Sequence, residues 1–158
     1  MTIIPLPSPN FHKGRKVRCV VLHATATSAA ASPKAWLTDP KSKVSAHYIV
    51  DRDGAIYRLV AEEDVAWHAG ESRWNDRPDV NDFSVGIEMV NANDGVQPYP
   101  EAQQAATAWL VAEVLKRHRL APSAVVGHLD IAPGRKTDPA AFPWDDLQAR
   151  LPALLGAA

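Results

Sequence analysis

The chain has 158 residues, 46% of them hydrophobic and 22% charged, with a formal net charge of −1. A chain of this length makes one domain able to bury a core without staples, and its near-neutral charge excludes a nucleic-acid binder working through a basic surface. One cysteine, Cys19, excludes an internal disulfide framework, and no apolar run approaches the roughly 18 residues of a membrane span, so stable membrane insertion is not expected.

Residues 1–16 carry Pro5, Pro7 and Pro9 and then the basic cluster Lys13-Gly14-Arg15-Lys16. They predict an extended arm wrapped on a domain of residues 17–155. The first ten residues lack a basic start followed by an apolar stretch, so no secretory signal is expected. Val17 to Leu22 is a β-branched run that ends at His23 and opens a loop rich in Ala and Thr. Cys19 within that run reads as a buried small hydrophobe. Ser32-Pro33 opens a short helix, with Ser32 as N-cap and Pro33 in the first turn, and Asp39-Pro40 ends it. Val44–Val50 and Ala55–Val60 flank Asp53-Gly54 and predict a hairpin.

Residues 61–82 form a long connection holding Trp67, His68 and Trp74. Long loops in compact domains are usually functional or disordered, and two tryptophans and a histidine favour function here. In the next strand Phe83, Val85, Ile87 and Met89 share one face, while Ser84, Gly86 and Glu88 share the other. A carboxylate such as Glu88 in apolar surroundings needs either an ion-pair partner or a chemical task. A packing helix follows from Pro100 to about Arg119, with Ala105, Ala108, Trp109, Val111, Ala112 and Leu115 on its apolar face and His118 as a solvent-facing cation at its end. Ala124 to Val126 is a buried strand, and Trp144–Leu151 a final helix. The expected fold is α/β: a single domain with a mixed central sheet flanked by helices.

The stretch from Gly127 to Pro139 concentrates the chemistry. His128 closes a strand, and Lys136 and Asp138 return two residues apart, on one side if that return is extended. His23 closes another strand in the same manner. His23, His128 and Asp138 together make a His, His, Asp set, the three protein ligands of a catalytic zinc site.

Five segments in order resemble the zinc-dependent N-acetylmuramoyl-L-alanine amidases of the type-2 family, which includes phage amidases, the AmpD and AmiD enzymes and the peptidoglycan recognition proteins. They are Val21–Thr25, Val44–Gly54, Ala66–Gly70, Val85–Glu88 and the stretch from Gly127 through Lys136-Thr137-Asp138-Pro139. The Ser45–Tyr48 and Trp67–Gly70 segments are most similar to the AmiD branch. The resemblance implies Zn2+ held by His23, His128 and Asp138. It implies Glu88 as the acid–base residue, Lys136 as stabiliser of the developing oxyanion, and Tyr48 near the metal. Trp67, His68, Thr25 and Asn91 are the expected substrate-binding residues. His47, on the opposite face from Tyr48, is expected to be structural, and His12 to lie at the surface. The implied reaction is hydrolysis of the amide joining N-acetylmuramic acid to L-alanine, in peptidoglycan or muropeptides.

Three other readings compete. A non-catalytic peptidoglycan-binding module of the same fold would lack part of the set, yet all three ligands plus Glu88 and Lys136 are present. A stem-peptide metallopeptidase would carry His-Glu-x-x-His, and a nucleobase deaminase Pro-Cys-x-x-Cys; neither occurs. The protein is expected to be a monomer made in the cytoplasm. It would act on the wall after holin-type release, as an endolysin, or on cytosolic muropeptides.

Overall fold

The computed structural model describes residues 1–14, 16–27 and 31–156. In chain order the elements are β1 (Ile3–Pro5), β2 (Phe11–Lys13), β3 (Cys19–Ala24), α1 (Ala31–Thr38), β4 (Tyr48–Val50), β5 (Ile56–Arg58), β6 (Asp64–Ala66), β7 (Arg73–Trp74), β8 (Arg77–Pro78), β9 (Ser84–Met89), α2 (Glu101–His118), β10 (Val125–Gly127), α3 (His128–Ile131) and α4 (Trp144–Leu155). Helix α1 begins before the expected cap, and the side chain of Ser32 lies outside the described residues.

The main sheet runs β1-β5-β4-β9-β3-β10. Only the β4–β5 hairpin is antiparallel; the other pairs are parallel. The sheet is therefore mixed, and helices cover it. The expected arm does not lie over a finished domain. Its β1 pairs with β5 at the sheet edge, and β2 pairs with β6. The long connection after residue 60 is likewise structured, by β6, β7, β8 and a 3-10 turn at Val80–Phe83.

Alternation along the central strands decides which side chains meet which helix. Val20 and Leu22 of β3, Val85, Ile87 and Met89 of β9, and Tyr48 and Val50 of β4 join one core with α2 and α4. Helix α2 supplies Leu110, Val111, Val114 and Leu115 to it, and α4 supplies Leu147 and Leu151. Gln103 of α2 reaches the strand ends, donating to the carbonyls of Val50 and Val90 at 3.1 and 3.0 Å. Cys19 and Val21 face the other way, into a cluster with Val80, Phe83 and Ile131. Phe83 thus departs from the expected alternation, because it sits in the 3-10 turn before β9 begins. Ile49 enters a third cluster with Leu37, Ala46 and Val60. The polar residues of β3 and β9 emerge on this second face. Among the described residues no helix is long and apolar enough to cross a membrane.

Candidate active site

Two parallel neighbours bring the histidines together. Strands β3 and β10 pair with Leu22 opposite Gly127, so the next residues, His23 within β3 and His128 just past β10, lie side by side. His128 starts the one-turn helix α3 rather than a loop. The irregular segment after α3 returns Asp138 to the same point. His23 Nδ1 lies 2.9 Å from His128 Nδ1 and 3.4 Å from Asp138 Oδ2, and His128 Nδ1 lies 3.1 Å from Asp138 Oδ2. All three side chains are buried.

This triangle fits a metal. Ligands about 2.0–2.1 Å from a tetrahedral zinc sit about 3.3 Å from one another. His128 Nε2 is 3.1 Å from the Ala69 carbonyl, an obligate acceptor. The proton of the neutral ring is therefore on Nε2, and Nδ1 presents a lone pair to His23 and Asp138. Burial is the main cause that lowers His23 to about 4, with the hydrogen bond to Asp138 opposing and the charges of His128 and Lys136 adding. Burial works against ionisation of Asp138, but the imidazoles of His128 and His23 beside it outweigh it and hold the carboxyl well below the usual range. Near neutral pH His23 is therefore a neutral imidazole and Asp138 a carboxylate, the forms in which these groups ligate a metal.

Glu88 stands opposite His23 in the β3–β9 register. Burial raises it to about 8; the charge of Asp138 pushes the same way and Lys136 pulls against it. Its Oε2 has no hydrogen-bond partner among the described residues, and it forms no ion pair there. The bland explanation, a buried structural ion pair, finds no support.

These groups line one groove of about 400 Å³. Glu88, Lys136, Thr25, Trp67 and His68 all border it together with the three ligands. Two expected members lie elsewhere. Tyr48 points through the sheet to the α2 side, where its hydroxyl donates to Glu62 Oε1 at 2.7 Å, so it cannot act at the metal face. Asn91 is buried behind the groove, its amide donating to the Gln97 carbonyl at 3.0 Å and its Oδ1 accepting from the Asn93 N–H at 2.8 Å. Asn93 borders the groove in its stead. His118 also departs from expectation: it is half-buried, with Nε2 2.6 Å from Glu62 Oε2. His47 is structural, accepting from the Gly86 N–H at 2.9 Å and contacting the Asp64 carbonyl at 3.1 Å. His12 is exposed and accepts from the Trp67 indole N–H at 3.0 Å.

Sequence reasoning missed Trp36 and Arg135. Trp36 is 57% exposed on the outer side of α1 and forms part of an apolar wall with Pro33, Leu37 and Val44. Arg135 donates to the carbonyls of Ala69 and Glu71, tying the Lys136–Asp138 segment to the loop that bears His68.

Residues 13–141 match the protein family described as N-acetylmuramoyl-L-alanine amidase. The chain is 38% identical to the N-acetylmuramoyl-L-alanine amidase AmiD of Escherichia coli over 84% of this chain and 52% of that one. It is 39% identical to the 1,6-anhydro-N-acetylmuramyl-L-alanine amidase AmpD of Haemophilus influenzae, over 65% of this chain and 56% of that one. The chain thus spans about half the length of these curated relatives. Among solved structures, an AmpD crystal structure aligns with a TM-score of 0.86 at 29% identity, covering 94% of each chain. Escherichia coli AmiD in complex with its substrate anhydro-N-acetylmuramic acid-L-Ala-D-gamma-Glu-L-Lys aligns at 0.77 and 38%, covering 85% of this chain and 57% of that one.

Proposed function

The chain belongs to the N-acetylmuramoyl-L-alanine amidase family, and from that premise we propose that it hydrolyses the amide between N-acetylmuramic acid and L-alanine in peptidoglycan or muropeptides, with zinc as cofactor. The observation that carries the reading is the convergence of His23, His128 and Asp138 within 4.8 Å, in the groove that Glu88 also borders. AmiD, the relative solved with an anhydromuropeptide, supports the substrate class. Held by the three ligands, zinc supplies a Lewis acid that brings a water's pKa to about 7.

The other residues divide the remaining work. Glu88 takes a proton from the attacking water and hands it to the amine nitrogen as the C–N bond breaks. Lys136 offers positive charge to the carbonyl oxygen as it becomes an oxyanion. Trp36 and Trp67 give the groove apolar surfaces for a sugar ring or peptide stem, and Thr25 and Asn93 give it polar ones.

Product analysis of purified peptidoglycan, with and without a zinc chelator, tests the reading. New free amino groups on L-alanine, no new reducing sugar ends, and loss of both signal and turnover on chelation are expected. Binding without release would replace the enzyme with a recognition module. Release of internal peptides with the lactyl amide intact would move the cut into the stem.

A further inference from the structure

The two histidine ligands are both oriented by one dipeptide, and we infer that His68 and Asn81 are positioning residues of the metal centre, deciding which ring nitrogen each ligand turns toward the ion. The inference rests on the zinc reading above and goes beyond its three ligands.

A neutral imidazole has one N–H and one lone pair, so the partner of one nitrogen fixes the role of the other. For His23 the chain of partners begins at the Val80 carbonyl, which can only accept. Ser84 Oγ donates its one proton there at 2.7 Å. Its oxygen is left as acceptor for His68 Nε2, 3.0 Å away. With its proton on Nε2, the neutral His68 ring presents a lone pair on Nδ1, which is 2.9 Å from His23 Nε2. His23 must then carry its proton on Nε2, and its Nδ1 is left as a lone pair. That Nδ1 is the atom facing His128 and Asp138.

The second ligand is set by the next residue. The Ala69 carbonyl accepts from His128 Nε2 at 3.1 Å and so directs that ring's Nδ1 lone pair to the same point. Asn81 Oδ1 accepts from the backbone N–H groups of both His68 and Ala69, at 3.0 and 2.8 Å. One amide oxygen therefore clamps the segment that orients both rings. Strand β9 leaves room for it: a Cβ on Gly86 would lie 2.4 Å from His68 Cγ. His68 borders the groove, yet both its nitrogens are engaged inward, which is the geometry of an orienting group rather than of one that hydrogen-bonds substrate.

The test is zinc affinity of the metal-free full chain, read by competition with a chromophoric chelator, alongside the visible spectrum of the cobalt-loaded protein. His68→Ala is expected to weaken zinc by about 10–100-fold, the usual cost of losing an outer-shell partner. His68→Asn is expected to recover most of that loss, because its Oδ1 takes the place of Nδ1 as acceptor. Asn81→Ala weakens zinc and Asn81→Asp, which keeps the acceptor, does not. A parent chain that binds no zinc would end the metal reading and this inference with it. A parent that binds zinc, with His68→Ala binding equally well, would end the inference alone, as would equal losses in the Ala and Asn variants. Should His68→Ala fail to fold, Ser84→Ala takes its place: a weakened site supports the relay, and an unchanged one overturns it.

Discussion

Glu88→Gln in the metal-free chain turns the burial of this carboxyl into a measurable stability. Burial raises Glu88 to about 8 from an ordinary 4.5, with Asp138 adding and Lys136 opposing. Between those two values the folded chain holds a proton that the unfolded chain has released. Stability therefore falls as pH rises through this window, and the loss is complete above about 8. At about 1.4 kcal/mol per tenfold change in the ionisation constant, the interval from 4.5 to about 8 sets a ceiling of about 5 kcal/mol. Partial contact with solvent brings the expected value down to a few kcal/mol. Glutamine has no proton to lose and escapes the penalty. His23, lowered to about 4, titrates in the opposite sense, but it is common to both chains and drops out of the comparison. Urea denaturation should find the two chains similar at about pH 5 and the variant more stable by a few kcal/mol above about pH 8. Parallel curves at all pH values would refute the reasoning, since Glu88 would then be solvated or paired. In the zinc-loaded chain the same substitution should cut turnover by about 10²–10⁴-fold, the usual contribution of an acid–base group.

Four other perturbations separate the roles of the two faces of the sheet. Lys136→Ala should lower turnover far more than zinc affinity, measured by kcat and chelator competition on one preparation; a variant that simply loses its metal would remove the oxyanion role. Gly86→Ala drives a methyl to 2.4 Å from His68 Cγ, so it should displace that ring and weaken zinc binding while the α2 side of the core, monitored by near-ultraviolet circular dichroism, stays intact. Glu62 meets Arg117, His118 and Tyr48 on the opposite side of the sheet; burial opposes its ionisation, but the hydrogen bonds from Arg117, Tyr48 and His118 bring it to about 2. Glu62→Gln should cost about 1–3 kcal/mol near neutral pH, with Arg117 partly exposed, while zinc affinity is unchanged. The parent's advantage should fade as pH falls from about 4.5 toward about 2. Tyr48→Phe should likewise spare turnover; its loss in a folded, zinc-loaded variant would return Tyr48 to the metal face.

What could be read from the chain alone follows from which relations are local. The two histidines were legible because each adjoins a β-branched run in sequence, although β3 continues one residue past His23 and His128 opens α3; parallel pairing of β3 with β10 brings them together. Glu88 was legible because alternation sets it apart from Val85, Ile87 and Met89. Relations across the fold were not legible. The three-residue strand β1 pairs with β5 more than fifty residues away, and nothing in a proline-rich arm announces that partner. Asn91 was the candidate on its loop, and only the loop's path, with Asn93 at φ 57°, sends Asn93 rather than Asn91 to the groove.

Tyr48 shows how one further step would have resolved a face. Alternation had already separated His47 from Tyr48; what it left open was which side held the metal. Helix α2 has a long apolar stripe and must lie on the most continuous apolar face of the sheet. Val20 and Leu22 of β3, and Val85, Ile87 and Met89 of β9, make that face, with Val50 in step on β4. His23 and Glu88 are out of step with those residues, so they go to the opposite side. Tyr48 is in step with Val50 and goes with the core, where its hydroxyl meets Glu62. The metal face is thus a consequence of where α2 packs: whatever side chains the helix does not cover at the strand ends are the ones left to do chemistry.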